Sequence, residues 1–146
     1  TGNRALDIVL MEKALFCKNH DICWTCMADG EHLDFMRVED IYAIFGNALD
    51  NAITAVMKVT DPDKRVVSTK LIIQSDLMVI QVQNYYEGKL QFEKGLPLTT
   101  KKNKADHGYG MKSIRYTAEK YNGTITVQTK NQIFMLQILI PVPNSA

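Results

Sequence analysis

Two neighbouring runs rich in valine and isoleucine, at residues 66–74 and 78–84, constrain the fold most strongly. Only Ser75-Asp76-Leu77 separates them, so the two runs predict a β-hairpin joined by a tight turn. Residues 124–129 and 133–140 predict a second hairpin near the end of the chain. Strands that pair as hairpins favour a sheet that is mostly antiparallel rather than one built from repeated βαβ units.

Three segments have the periodicity of amphipathic helices. The first, residues 3–19, should pack on the sheet through apolar side chains at helical spacing, namely Leu6, Val9, Leu10, Ala14 and Cys17. Residues 38–58 predict a second long helix, and residues 110–121 predict a third. A strand at residues 22–27 completes a mixed α and β pattern. A length of 146 residues supports one domain with its own core, so we predict a single domain over residues 1–146.

Charge and cysteine content exclude several functional classes. The chain has 17 basic and 16 acidic residues, so no global field favours nucleic acid or an anionic membrane surface. No apolar run approaches the roughly 20 residues that cross a bilayer, and the opening residues lack the apolar core of a secretory signal. Three cysteines without a second pair do not predict a disulfide framework, which fits a reducing compartment. We therefore expect a cytoplasmic domain that contacts neither nucleic acid nor membrane.

Cys23 and Cys26 have the spacing found in redox and zinc sites. A zinc site needs four ligands, and no second cysteine or histidine pair stands at a usual spacing. A thioredoxin-like site should follow a strand and open a helix, whereas this pair lies inside the strand predicted at residues 22–27. We therefore predict buried or half-buried thiols without metal or redox chemistry.

The second predicted helix carries two asparagines, Asn47 and Asn51, which share one face because they are four residues apart. Asparagine is a mediocre helix former, and such conflicts with local propensity often mark functional sites. An amide oxygen is a hard, neutral ligand suited to Mg²⁺, which takes only one or two protein oxygens besides phosphates and water. From the spacing alone, solvated or capping side chains explain the pair equally well.

A glycine motif, His107-Gly108-Tyr109-Gly110-Met111, stands directly before the third predicted helix. Its glycines would let the backbone approach a phosphate, and the first free N–H groups of the helix would donate to it. Taken alone, the motif is better explained by a plain glycine-rich turn. The residues before it, 85–106, are polar and rich in lysine, and a loop of this length inside a domain is usually functional. We predict a lid over residues 86–107.

In this order and at this spacing, the two motifs resemble those of the GHKL ATPase superfamily. Residues 47–52 resemble its asparagine box, residues 107–114 its second glycine box, and residues 121–125 with the last hairpin also match. The resemblance is strongest for the catalytic domains of quorum-sensing peptide-pheromone receptor kinases, whose opening resembles Thr1-Gly2-Asn3 followed by Leu6-Asp7. It implies the Bergerat fold, a two-layer α/β sandwich whose mixed, mostly antiparallel sheet is covered on one face by helices, with ATP between the long helix and the lid.

The resemblance also implies roles for individual residues. Asn51 matches the asparagine that ligates Mg²⁺, and Asn47 matches the polar residue one turn before it, so both are expected to be catalytic. Asn84 stands where the first glycine box carries an aspartate, and an amide oxygen can still accept a hydrogen bond from the adenine amine. The remaining nucleotide contacts would come from the lid and the glycine motif, at Lys101, His107, Gly108, Tyr109, Gly110 and Met111.

The implied activity is that of an ATP-dependent protein histidine kinase. Relatives that hydrolyse ATP carry a glutamate at the position of Asn47 to activate water, and an amide cannot accept that proton. The acceptor is expected outside this chain, because His20 and His32 are predicted at a helix end and in a turn, without the helical surroundings of an acceptor site, and His107 belongs to the glycine motif. The expected partners are the histidine-bearing dimerisation helices of the same full-length protein and a response regulator, in a two-component system. The expected location is the cytoplasmic side of a membrane-bound sensor kinase.

Two other functions fit the same motifs. The altered first glycine box favours an interaction module that binds nucleotide weakly and has little or no kinase activity. A serine kinase of the anti-sigma-factor type resembles the chain in the other two boxes. That function ranks lower, because the first glycine box usual in that branch is absent here.

Overall fold

A computed structural model describes residues 1–88, 92–93, 96–97 and 104–143, with the backbone alone described at 92–93, 96–97 and 104–109. Its centre is a five-stranded sheet with the strand order β1-β2-β3-β7-β6. The strand bounds are β1 Cys23–Ala28, β2 Val66–Gln74, β3 Leu77–Tyr85, β6 Thr124–Lys130 and β7 Ile133–Pro141. The predicted strands are therefore all present, with bounds that differ by one residue at most.

The strand pairing confirms the predicted hairpins. β2 pairs antiparallel with β3, and β6 pairs antiparallel with β7. β3 and β7 are also antiparallel, whereas β1 and β2 are parallel because a long helical connection joins them. The sheet is therefore mixed and mostly antiparallel, as predicted.

Helices cover one face of this sheet. Their bounds are α1 Arg4–Asn19, α2 Val38–Ile41, α3 Asn47–Met57 and α4 Lys104–Lys120. α1 begins where the side-chain oxygen of Asn3 accepts the N–H of Leu6 at 2.9 Å. α1 contacts β1, α3 contacts β2 and β3, and α4 contacts β6 and β7. In the described part of the chain, no helix has the length and apolar content needed to cross a membrane.

The core lies between the helices and the sheet. Along β3, Met78, Ile80 and Val82 point to the helices and are almost fully buried, while Gln81 and Gln83 on the other face are half-buried. The largest fully buried side chains come from every layer, namely Phe45, Leu6, Leu33, Ile41, Ile44, Leu49, Leu71, Met78, Ile80, Met111, Ile114 and Leu136. One continuous apolar core in two layers confirms the predicted α/β sandwich.

Two helix predictions need correction. The helix predicted at residues 38–58 is interrupted by a π-helical turn at Tyr42–Gly46, between α2 and α3. A single extra residue in a turn leaves the apolar pattern nearly unchanged, so periodicity does not detect it. The third helix begins at Lys104, six residues before its predicted start at Gly110. The glycine motif therefore lies within α4 and not before it.

The loop predicted at residues 85–106 is also only partly correct. Tyr85 ends β3, and Lys104 already belongs to α4. Between them, β4 Phe92–Glu93 and β5 Leu96–Pro97 form a small antiparallel pair. Half of the residues in the lid predicted over 86–107 lie outside the described residues, so the lid stays a prediction.

The burial predicted for the two cysteines of β1 and for Ala14 of α1 was wrong. Cys23 and Cys26 are exposed on β1, which is the edge strand of the described sheet. Ala14 of α1 is exposed as well, whereas the side chain of Lys13 is only 14% exposed. The buried stripe of α1 therefore passes through Lys13 and not through Ala14.

A buried carboxylate joins α2 to the end of α4. Asp40 is 4% exposed and accepts hydrogen bonds from Lys120 Nζ at 2.7 Å and from the Tyr121 hydroxyl. The Tyr121 oxygen in turn accepts the N–H of Arg37 at 3.0 Å. Burial pushes the pKa of Asp40 upward, but the hydrogen bonds from Lys120 and Tyr121 outweigh it and hold that pKa below its usual value.

Asp40→Ala should therefore lower the free energy of unfolding by about 2 kcal/mol at neutral pH, because it removes two hydrogen bonds to a buried charge. The pKa of Asp40 is lower in the folded than in the unfolded state. Its contribution is then complete above the unfolded pKa of about 3.9 and is lost as pH falls through the folded value. Urea unfolding of wild type and variant should show this difference narrowing below about pH 4.

Glu39→Ala is the matched control on the same helix, since the Glu39 side chain is 62% exposed and, among the described residues, forms an ion pair only with the exposed Arg37. A loss for Glu39→Ala as large as that for Asp40→Ala would contradict a special role for the buried carboxylate.

Candidate functional site

A cavity of about 800 Å³ opens between α1, α3 and α4. It is lined by Glu12, Lys13, Leu15, Phe16, Asn19, His20, Asn47, Asp50, Asn51, Ile53, Thr54, Gly110 and Met111. The volume suits a ligand of nucleotide size. The cavity contains four residues that the sequence predicted for the site, and they come from two helices that are distant along the chain.

The two asparagines reach this cavity because of their position on α3. Ala48, Leu49, Ala52 and Ile53 turn into the core, which leaves Asn47 and Asn51 half-buried on the opposite side, one helical turn apart. Within the described part of the chain, the Asn51 amide has no hydrogen-bond partner, so its oxygen is available to a ligand. This confirms that the pair shares one face and that the face borders a cavity.

Asn47 is held in place by the π-helical turn before it. Its Nδ2 donates to the carbonyl oxygen of Ala43 at 2.7 Å. This contact fixes the amide, and a Cβ added to Gly110 would lie 3.4 Å from Asn47 Oδ1. π-helical turns are rare and occur frequently at functional sites. The turn therefore holds the Asn47 amide, and Gly110 of α4 lies close to that amide.

The glycine motif contributes its C-terminal part to the cavity. Gly110 packs against Asn47, and Met111 is 2% exposed where the cavity meets the core. The backbone of His107, Gly108 and Tyr109 lies in α4, while their side chains are outside the described residues. In a helix that begins at Lys104, the free N–H groups belong to the first turn. The prediction that Gly108 and Gly110 stand at a helix N-terminus is therefore wrong for this structure.

Asn84 occupies a different place from the asparagines of α3. It lies near the end of β3 on the helix-covered face of the sheet, 2% exposed, between Val67 of β2 and Phe134 of β7. Its Nδ2 donates to the carbonyl oxygen of Tyr85 at 3.1 Å, while its Oδ1 is buried without a hydrogen-bond partner among the described residues. A buried carbonyl oxygen without a partner is costly, so it marks a place where a ligand donor would be favoured.

The structure does not bring all predicted residues together. Asn84 is not among the residues that line the cavity, and Lys101 lies outside the described residues. In contrast, α1 provides a whole wall that sequence reasoning missed, with Glu12, Lys13, Phe16, Asn19 and His20. One sequence signal could have revealed it, namely a lysine at position 13 in the centre of an apolar helical stripe.

This wall carries the charges of the cavity. Lys13 Nζ lies 2.6 Å from Asp50 Oδ1 and 3.5 Å from Glu12 Oε1. Burial pushes the pKa of Lys13 down, but the hydrogen bond and charge of Asp50, with the charge of Glu12, outweigh it and hold that pKa above its usual value. Lys13 is therefore a stable ammonium group beside the two asparagines.

Known proteins resemble the chain in sequence pattern and in fold. The family model for the GHKL domain matches residues 36–141. No curated protein sequence matches the chain. The catalytic domain of histidine kinase ThkA, in a nucleotide-free form, superposes with a TM-score of 0.69 at 17% identity, over 96% of this chain and 92% of that one. A second nucleotide-free form gives 0.71 at 18% identity, over 96% and 91%.

A second histidine kinase domain has a similar fold. It comes from the blue-light-activated histidine kinase EL346 of Erythrobacter litoralis and gives a TM-score of 0.60 at 14% identity, over 94% of this chain and 61% of that one. At such identities the likeness concerns the fold, which is the predicted Bergerat sandwich of histidine kinase catalytic domains. The family model covers most of the chain, including α3, the glycine motif and both hairpins. The chain therefore belongs to the GHKL domain family.

Proposed function

We propose that this domain binds Mg-ATP and transfers its γ-phosphoryl group to a histidine on a separate helix of the full-length protein. The observation that carries the proposal is the meeting of Asn47, Asn51 and Gly110 at one cavity of nucleotide size. Membership of the GHKL family and the likeness to histidine kinase catalytic domains support the same activity.

The residues present fit a magnesium ion. Asn51 offers a half-buried amide oxygen without a partner among the described residues, and Mg²⁺ needs only one or two protein oxygens when phosphates supply others. Asn51 would therefore hold the ion, with Asn47 one turn away. When bound, Mg²⁺ neutralises the charge on the phosphate oxygens during transfer.

The amide of Asn47 favours a histidine over water as the acceptor of the phosphoryl group. Its amide is fixed by Ala43 and cannot take a proton from water, so it cannot serve as the general base of a hydrolase. An imidazole is already a nucleophile and needs only to be positioned in line with the phosphoryl group. We therefore assign Asn47 a positioning role and place the acceptor on another helix.

Asn84, which lies near the end of β3 and outside the described lining of the cavity, is the proposed contact for the base. Its buried oxygen would gain a hydrogen bond from the amino group of adenine. Guanine presents a carbonyl oxygen at the corresponding position, where two acceptors would face each other. The site should therefore prefer ATP to GTP.

Calorimetry on the folded domain tests this proposal. We expect heat from ATP and ADP that grows when chelator is replaced by Mg²⁺, and weaker binding of GTP. Adding a helical fragment that carries the acceptor histidine should then yield phosphohistidine. Absence of heat for either adenine nucleotide at millimolar concentration would contradict the proposed function, and binding without transfer would favour a nucleotide-binding interaction module.

A further inference from the structure

Lys13 lies on the face of α1 that packs against the core, where an apolar residue is expected. Leu6, Leu10 and Cys17, on the same face of the helix, are buried in the core. The Lys13 side chain is only 14% exposed, although a lysine is almost never deeply buried without a reason. Ala14, the better core residue, is exposed instead. Such a conflict between residue type and environment is typical of a functional position.

The partners of Lys13 leave its ammonium group free for more than one contact. Its Nζ has three hydrogens, and the near contact is the one with Asp50 at 2.6 Å. Asp50 directly precedes Asn51 on α3, and its side chain is 60% exposed. An ion pair with so exposed a carboxylate contributes little to stability, so holding α1 on α3 does not by itself account for a half-buried lysine.

A polyphosphate bound in the cavity would need a positive charge beside it. Among its described lining residues, Lys13 carries the only ammonium or guanidinium group. Glu12 and Asp50 line the same cavity and would repel a nucleotide polyphosphate. Among the described lining residues this negative charge is offset only at Lys13, so a bound polyphosphate would approach there.

We propose that Lys13 is a phosphate-binding residue that donates from Nζ to the polyphosphate of the nucleotide, while Asp50 holds its side chain toward Asn51. The inference rests on the proposed function, because it names a further contact at the same site. It also explains why α1, which lies far from the asparagine and glycine motifs along the sequence, borders the cavity.

Lys13→Met tests the inference, because methionine keeps the apolar stem and removes the charge. ATP, ADP and AMP should be titrated by calorimetry into wild type and variant in the presence of Mg²⁺. Loss of a charge-assisted hydrogen bond should weaken ATP binding by about tenfold to a hundredfold, weaken ADP binding less, and leave AMP binding nearly unchanged. Lys13→Arg, which keeps the charge, should retain most of the ATP affinity.

Lys18→Met is the matched control, since Lys18 belongs to the same helix, is exposed and does not line the cavity. It should bind all three nucleotides like wild type. Circular dichroism should show that Lys13→Met and Lys18→Met are folded. If Lys13→Met does not fold, ATP binding is compared between wild type and Lys13→Arg instead.

Two results would overturn the inference while leaving the proposed function intact. One is wild-type ATP affinity in Lys13→Met, and the other is an equal loss for ATP and AMP, which would indicate a purely structural role. If wild type itself bound no ATP, the proposed function and this inference would fail together.

Discussion

Asn51→Ala should lower phosphoryl transfer to an acceptor-helix fragment by about two orders of magnitude or more, because it removes the side-chain oxygen proposed to hold Mg²⁺. Binding of ATP should lose most of its dependence on Mg²⁺ as well. The fold should survive, since Asn51 is half-buried, has no partner among the described residues, and alanine is the better helix former. Radiolabelled transfer assays and calorimetry would measure the two effects.

The control for this variant is Asn122→Gly, at the turn between α4 and β6. Asn122 adopts a φ of 61°, where alanine would be strained and glycine is not, so glycine removes the amide without disturbing the turn. Near-normal transfer by Asn51→Ala, or an equal loss in Asn122→Gly, would contradict a metal-binding role for Asn51.

Gly123→Ala should have the largest effect on stability, lowering the free energy of unfolding by about 3 kcal/mol. A Cβ at this position would lie 2.6 Å from the carbonyl oxygen of Leu139 and 3.0 Å from that of Ala118. Both are backbone atoms, and the Gly123 N–H already donates to Ala118 at 2.9 Å, so the turn cannot move away without breaking this bond. Urea unfolding monitored by circular dichroism would measure the loss.

Gly46→Ala is the matched comparison, because a Cβ there has no atom within 4 Å in the described structure. It should leave stability unchanged or raise it by up to about 1 kcal/mol, since alanine is favoured over glycine in helical backbone. Similar losses for both variants would mean that the close approach at Gly123 is not what makes alanine costly.

The fold could be predicted well from the sequence where the relevant information is local. Short apolar runs bounded by turn residues predicted both hairpins, and the helical spacing of apolar residues predicted α1, because burial of one face constrains the local sequence directly. The pairing of Asn47 with Asn51 is local in the same sense, since a separation of four residues places two side chains on one helix face whatever surrounds them.

The same kind of reasoning failed where a local pattern has two explanations. The π-helical turn at Tyr42–Gly46 changes the helix by one residue, which is too little to disturb the apolar period. The glycine motif at residues 107–111 is predicted to stand before a helix, yet tertiary context can override the low helix propensity of glycine, and α4 begins at Lys104.

The sequence alone determined the five strands of the main sheet, the first helix, the shared face of the two asparagines and the family resemblance, since periodicity and motifs do not depend on which segments pack together. Only the tertiary structure decided that α1 forms a wall of the cavity, that Lys13 and not Ala14 lies in the buried stripe, and that the Asn84 oxygen is buried without a partner among the described residues. The physical reason is that the spacing of apolar residues indicates which side chains are buried away from water. Which segments become neighbours, and so which polar groups meet, is set by packing between segments distant along the chain.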